Sequence, residues 1–230
     1  MMKHNMIQKA FYRFSFLGLS VALLGSCQSA DTNLQTTDAV LASADLTGTY
    51  EFVGDLPNSQ VTWEGYKFIG GSHYGFVQFK DAVFYVDDAV KLKSGHFVVD
   101  MQSISVKDLE PGDYNDKLLA HLKNDDFFSV DSFPIAAFEI THVDYVDGEF
   151  NVQVEGNLTI KNVTKAVAFP AKLSVMDNKL DFQASFTIDR VEWNIMYNSA
   201  KNSTFDIEKL KEWAIKDEVF LQVHLTANKS

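Results

Sequence analysis

The side chains that could do chemistry in this chain are few, and histidine is the first type to test. Apart from His4, the histidines are spread along the sequence at His73, His96, His121, His142 and His224. Neither His-x-His nor His-x3-His spacing occurs among them, whereas metal sites need several ligands that converge. We therefore expect no metal ion and no other cofactor.

Carboxylate pairs and activated nucleophiles are the second type, because many enzymes use them for acid–base or covalent catalysis. Asp87-Asp88 is typical of a solvated turn, and Asp125-Asp126 is placed to cap or turn the chain where a helix ends. The sequence has no Gly-x-Ser-x-Gly elbow. We assign no catalytic residue and expect a protein that is not an enzyme.

The single cysteine, Cys27, follows a segment with the features of an export signal. Lys3, Lys9 and Arg13 make its start basic, and residues 14–25 form an apolar run. Such a run, about a dozen residues long, is too short to cross a bilayer comfortably as a helix but suits a secretory signal. We expect residues 1–27 to take no part in the fold.

The end of this segment, Leu24-Gly25-Ser26-Cys27, is similar to the lipobox of bacterial lipoproteins, in which the cysteine is acylated and becomes the mature N-terminus. Several acyl chains on one residue anchor a protein almost permanently. We therefore expect an exported periplasmic or cell-envelope lipoprotein, anchored in the outer membrane through Cys27. The alternative is conventional cleavage around Ser29-Ala30, in which case Cys27 carries no lipid.

Loss of the signal makes an acidic protein more acidic. The whole chain of 230 residues has a net charge of −11; without residues 1–27, 17 basic and 31 acidic residues remain, a net charge of −14. This balance argues against nucleic acid as a partner, because phosphate backbones are bound by clustered Lys and Arg. Residues 28–46 are polar and poor in bulky apolar side chains, which predicts a flexible tether, and the domain spans residues 47–230.

Alternation of apolar and polar residues dominates the domain and predicts antiparallel strands. Eight segments show it: 61–68, 75–86, 89–106, 134–146, 149–161, 164–176, 179–190 and 217–227. Several are separated by turn residues, of which Asp147-Gly148 is a strong hairpin signal. So many consecutive hairpins predict an all-β barrel or sandwich, because an open sheet would leave two unpaired edges.

Two segments break the alternation and have helical spacing instead. Leu118, Leu119 and Leu122 recur in this way within residues 112–124, and a second helix is predicted over residues 206–213. No strand–helix–strand alternation accompanies them. We expect both helices to cover the ends of a barrel.

The apolar side of the predicted strands contains large side chains that would point into the barrel: Phe97, Val99, Met101, Leu158, Phe169, Leu173, Phe182 and Phe186. They could simply fill a core, or they could line a cavity for one apolar ligand, as in lipocalins. Gly156, Ala171 and Ala184 interrupt the large residues on the same side, which favours some free space. Composition alone leaves both alternatives open.

The domain resembles the YceI-like family of polyisoprenoid-binding, lipocalin-like proteins. The resemblance covers about residues 48–228 and rests on spaced segments: Trp63-Glu64-Gly65, His73-Tyr74-Gly75, Asp100 to Ile104, Leu118 to Leu122, Asp125 to Pro134, Phe138-Glu139-Ile140, Gly156 to Thr164 and Phe186 to Arg190. Two departures occur. Asn162 stands where the family usually has Gly in a turn, a position that Asn tolerates, and Ser129 replaces an acidic residue.

The resemblance implies an extended antiparallel barrel of about eight strands whose apolar tunnel holds a polyisoprenoid, quinone-like or fatty-acyl amphiphile, without catalysis. The inward residues above would then bind the ligand, and His73, near a barrel mouth, is the candidate for its head group, with a structural histidine as the alternative. Trp193 and Tyr197 would lie at the tunnel rim; alternatively, this corner is simply held by an ion pair of Asp189 with Arg190.

The sequence thus predicts a non-enzymatic protein that binds, transports or stores a long-chain isoprenoid lipid or similar amphiphile. A rival from another class is a structural or interaction lipoprotein with a solid barrel, acting through its acidic surface. A homodimer stays open. The volume inside the barrel discriminates between the two functions.

Overall fold

The computed structural model describes Leu34, residues 36–201 and residues 214–230. Three predicted features therefore lie wholly or partly outside the described residues. They are the signal segment with Cys27, the tether at residues 28–33 and 35, and the helix over residues 206–213. None of the helices among the described residues is long and apolar enough to cross a membrane.

The described chain is mostly antiparallel strand. In chain order the strands are β1 (Thr37–Asp38), β2 (Thr49–Gly54), β3 (Gln60–Lys67), β4 (Ser72–Asp87), β5 (Leu92–Asp100), β6 (Ile135–Tyr145), β7 (Val152–Ile160), β8 (Val163–Met176), β9 (Lys179–Asp189) and β10 (Ile215–Lys229). The helix α1 (Asp113–Lys123) lies between β5 and β6, and short 3-10 helices occupy Leu56–Asn58, Met101–Ser103 and Arg190–Trp193.

Strands β3 to β10 close into an eight-stranded barrel. Each pairs with the next along the chain, and β10 returns to pair with β3. β2, which the sequence did not predict, pairs with the far ends of β4 and β10. β2 and β3 therefore lie end to end in one strand position. The predicted all-β barrel is confirmed.

The turn between β7 and β8 shows how the departure at Asn162 is accommodated. Lys161 and Asn162 both have positive φ, 49° and 58°, the backbone of a tight hairpin turn whose twist matches that of its strands. Asn adopts this conformation at low cost because its short polar side chain bonds locally. The hairpin register runs without a break from Ile160↔Val163 to Val152↔Ala171.

Helix α1 lies at one end of the barrel. Asp113 and Asp116 occupy its first turn and His121 and Lys123 its last, an order that complements the helix dipole. Leu122 is buried, and the partly buried Leu118 and Leu119 pack against the core beside it. The apolar stripe of the helix thus faces the barrel, as its spacing predicts.

The barrel is packed solid at the other end, where β2 completes the wall. Large side chains without exposed surface meet there, among them Phe84, Ile140, Leu180 and Leu225. Phe84 packs against Phe97 at 4.7 Å and Phe182 at 5.7 Å between ring centroids. These three rings separate the filled end from the end covered by α1.

Candidate binding cavity

The barrel is hollow at the α1 end. A cavity of about 190 Å³ lies there, and its accessible wall is almost entirely hydrocarbon. All eight barrel strands and α1 contribute to the wall, which includes Val61, Trp63, Val77, Phe79, Ile104, Leu122, Phe127, Phe128, Ile160, Ile188 and Leu221. An apolar cavity of about 150 Å³ already stays dry and admits benzene, so this one is large enough to accept part of an apolar ligand.

Small residues occupy three positions of the cavity wall. Gly65, Ala136 and Ala137 line the cavity, and a Cβ added to Gly65 would meet no heavy atom within 4 Å. Gly156, Ala171 and Ala184, which the sequence analysis expected to leave free space, do not line the cavity. A Cβ on Gly156 would lie 2.3 Å from the ring of Phe138, so that ring already fills the space, and Ala171 and Ala184 pair across β8 and β9 in fully packed core.

A chain of aromatic contacts borders the cavity. Phe97 and Phe138 lie with ring centroids 6.2 Å apart, Phe138 and Phe169 5.4 Å apart, and Phe169 and Phe186 4.2 Å apart in a nearly parallel stack. Four consecutive rings from β5, β6, β8 and β9 therefore form one continuous surface. Such rings hold a flexible apolar chain by contact area and restrict its direction little.

The ionisable groups among the described wall residues are Arg190 and Lys216. Arg190 is almost fully buried; its Nη1 donates to Ile195 O at 2.6 Å, its Nε to Lys216 O at 3.2 Å, and its Nη2 to Ile215 O at 3.2 Å. Burial lowers the pKa of Arg190, and the nearby carboxylate of Asp217 opposes this shift. The guanidinium therefore ties the end of β9 to the start of β10.

Seven of the predicted ligand-contact residues line this cavity: Phe97, Val99, Met101, Leu158, Phe169, Phe182 and Phe186. They come from four strands and the 3-10 helix after β5, and the barrel brings them to one surface. Leu173 also points inward, but it lies toward the filled end of the barrel, where it is buried in the core.

The other three predicted contact residues lie away from the cavity wall. Trp193 is fully buried, and its indole N–H donates to Leu158 O at 3.1 Å. It therefore packs inside the protein and does not lie at an exposed rim. Tyr197 packs edge to face with His121, 4.4 Å between centroids. His73 bonds to Asp108 at 2.7 Å on the surface, the arrangement of a structural histidine.

The corner after β9 is held by two separate ion pairs. Arg190 pairs with Asp217, at 3.4 Å between Nη2 and Oδ1, and Asp189 pairs with Lys201. The sequence suggested a direct pair of Asp189 with Arg190. Partners far along the chain replace it, because the return of β10 beside β9 brings Asp217 to the guanidinium.

Trp63, Phe79 and the Phe127-Phe128 pair are wall residues that the sequence analysis did not assign to the site. Trp63 shares the inward side of β3 with Val61 and Gly65, and this alternation was visible in the sequence. Phe127 and Phe128 follow α1 in irregular backbone. The alternation of a strand does not apply there, so the sequence does not predict which way their side chains point. The turn around Ser129, with φ of 46°, directs them to the barrel.

The sequence profile of the YceI-like domain matches residues 52–227. The chain belongs to the YceI-like family. Among its relatives, the UPF0312 protein of Pseudomonas putida (strain W619) is 28% identical over 201 residues, which span 85% of this chain and 93% of that protein.

Two solved structures share the barrel. The structure of BcnA from Burkholderia cenocepacia has a TM-score of 0.58 at 24% identity, covering 76% of this chain and 99% of BcnA. A polyisoprenoid binding domain from Saccharophagus degradans, implicated in plant cell wall breakdown, has a TM-score of 0.55 at 14% identity, covering 78% of this chain and 98% of that domain. At these identities the likeness is one of fold.

Proposed function

We propose that this YceI-like protein binds one long-chain isoprenoid lipid, or a similar amphiphile, with part of its apolar chain in the cavity at the α1 end of its barrel. The observation that carries the proposal is the hydrocarbon wall of a cavity of about 190 Å³ inside an otherwise packed barrel. The polyisoprenoid binding domain from Saccharophagus degradans, which shares the fold, supports the same class of ligand. The cavity also favours this function over that of a solid structural barrel.

Burial of the ligand supplies the affinity. Removing apolar surface from water is worth about 25 cal/mol per Å², so each 100 Å² of buried ligand contributes roughly 2.5 kcal/mol before the cost of ordering the chain is subtracted. No directional bond is needed along an isoprenoid tail. The polar end of the ligand stays toward solvent at the α1 end.

The cavity wall also supports binding without catalysis. Acid–base catalysis requires a side chain that reaches the reacting atom with a suitable proton, and the described wall offers Arg190 and Lys216 as its ionisable groups. Arg190 is already engaged with three backbone carbonyls and Asp217. These features support a carrier or storage role.

We further propose that the protein is exported and anchored in the cell envelope through an acylated Cys27, which would keep the barrel close to a membrane source of lipid. The Cys27→Ser variant tests this part. It should leave the membrane fraction and should not mature through the globomycin-sensitive step, whereas a variant that still fractionates with membranes would contradict lipidation.

Ligand class is tested by competition. The detergent-free protein is titrated with dansyl-undecanoic acid, a fluorescent fatty acid, and the bound probe is then displaced with a polyprenol, a quinone with an isoprenoid tail, or palmitic acid. We expect saturable one-to-one binding and the most effective displacement by the isoprenoid compounds. Failure of the folded protein to bind the probe or any competitor would contradict the proposed function.

A further inference from the structure

The barrel wall is incomplete between β8 and β9. Their ladder runs from Met176↔Lys179 to Ala171↔Ala184 and stops there. Beyond that point β8 stays paired with β7, and β9 stays paired with β10 as far as Asp189. Pro170, which has no N–H to donate, stands at the first position past the ladder. The two strands therefore part toward the hollow end and leave a wedge.

Leu34 and residues 36–40, which we name the strap, occupy this wedge. The backbone N–H of Leu34 donates to Thr187 O on β9 at 3.2 Å. Three residues later, β1 pairs with the free edge of β8, with Thr37 opposite Ala166 and Asp38 opposite Lys165. The strap is therefore bonded to both sides of the opening, as an inserted strand would be.

The side chain of Asn157 on β7 holds the far end of the strap. Its Oδ1 accepts from Val40 N at 2.9 Å, and its Nδ2 donates to Val40 O at 2.6 Å. Asn157 alternates with the cavity-lining Leu158 and so faces outward, yet it is only 9% exposed. An amide that bonds both backbone groups of one residue in this way acts as a specific clasp.

Polar contacts from the barrel fix the middle of the strap. Lys165 Nζ lies 4.0 Å from the carboxylate of Asp38 and 3.8 Å from that of Glu192. Glu192 in turn accepts a hydrogen bond from Thr36 Oγ1 at 3.3 Å. These contacts are close to solvent and therefore weak individually.

The wedge borders the cavity directly. Phe169 of β8 and Phe186 of β9 stack at its closed end, and both line the cavity, as does Ile188 farther along β9. Leu34 packs against the same core. Thr37, Asp38 and Val40 remain exposed on the outside, so the strap is a thin cover with few buried contacts, the kind of segment that opens locally at low cost.

We propose that the β8–β9 wedge is a lateral entrance to the cavity and that the strap is its gate. Opening requires that the strap leave the edge of β8 and the Asn157 clasp and that the Trp193 indole release Leu158 O, while every barrel ladder stays intact. A long apolar chain then enters sideways between Phe169 and Ile188 instead of threading past α1. The inference rests on the proposed lipid-binding function, since without a ligand the entrance has no purpose.

A reversible disulfide tests the gate. In the full chain with Cys27→Ser, the pair Thr37→Cys and Ala166→Cys, which are opposite each other in the register, locks the strap when oxidised and frees it when reduced. The control pair is His96→Cys with Glu139→Cys, opposite each other on β5 and β6, where the wall is already continuous. Uptake and release of dansyl-undecanoic acid are followed by stopped-flow fluorescence in both redox states.

We expect oxidation of the strap pair to slow uptake and release at least tenfold, with the Kd unchanged within a factor of two and the control pair unaffected. In the same background, Asn157→Ala should make both rates about tenfold faster, because two hydrogen bonds of the closed state are lost. Equal rates in oxidised and reduced strap variants that do bind the probe would overturn the gate and leave the proposed function standing. Absence of probe binding in the parent chain would overturn the proposed function, and the gate with it.

Discussion

Filling the cavity from Gly65 should abolish ligand binding without harming the fold. Gly65 lines the cavity, and a Cβ built on it meets no heavy atom within 4 Å. In Gly65→Phe the new ring can therefore occupy the cavity of about 190 Å³. A buried Phe covers at least about 150 Å², and ligand surface of that size is worth about 4 kcal/mol. The Kd should rise by up to roughly a thousandfold.

The assay is equilibrium titration with dansyl-undecanoic acid, accompanied by urea unfolding of the same preparations. Stability should not fall, because Phe is favoured in strands and Gly weakens them. Gly71→Phe is the matched control: its Cβ also meets open space, but it lies in the turn between β3 and β4, outside the cavity wall. A folded Gly65→Phe protein with the Kd of the parent would refute the assignment of the ligand to this cavity.

Three further predictions concern the framework of the barrel. Gly156→Ala should lower the free energy of unfolding by about 1–3 kcal/mol, because the new methyl would lie 2.3 Å from Phe138 Cζ and 2.5 Å from Glu139 O; urea unfolding that matches Gly65→Ala would contradict this. Asp217→Ala should cost about 3 kcal/mol, since it leaves the buried Arg190 without its carboxylate, and an unchanged thermal midpoint would show that the backbone carbonyls suffice. Burial of Asp108 opposes its ionisation, but hydrogen bonds from His73 and the Tyr74 N–H outweigh this and hold its pKa below the usual value. Its contribution to stability is then complete above the unfolded pKa of about 3.9 and is lost as the pH falls through the lower folded pKa. Asp108→Asn should therefore lower the urea midpoint at pH 6 but match the parent near pH 2, and a difference that is the same at both pH values would contradict the linkage.

The strands were predictable because each has one side buried in the barrel. Alternation in β9, with Phe182, Ala184 and Phe186 on one side, follows directly from the two-residue period of a strand. The short β2 escaped prediction because its six residues pack mainly through Phe52 and form little pattern. The helix predicted over 206–213 lies outside the described residues and stays a prediction.

Contacts between distant residues set the limit on predicting the site. The inward direction of Phe97, Leu158 and Phe169 follows from alternation, and these residues do share one cavity. Whether an inward glycine leaves space depends on the neighbouring strand: Phe138 fills the gap beside Gly156, whereas nothing fills the gap beside Gly65. No local pattern encodes that difference.

The strap illustrates the same limit in a polar segment. Residues 34–40 have the composition of a tether, and the sequence predicted one. The strap lies against the barrel because Pro170 ends the β8–β9 ladder and leaves strand edges to be paired, and because Asn157 supplies a clasp 117 residues away along the chain. Backbone groups at an open edge need partners, and a polar segment can provide them without an apolar pattern.

Native mass spectrometry of the protein, expressed in its exporting host and purified without detergent, tests the central claim most directly. We predict one bound amphiphile per chain, released by collisional activation, with a mass that fits an isoprenoid or related lipid, and its loss in Gly65→Phe but not in Gly71→Phe. A parent protein that carries no lipid and takes none up from added polyprenol would contradict the claim that this barrel is a lipid-binding protein.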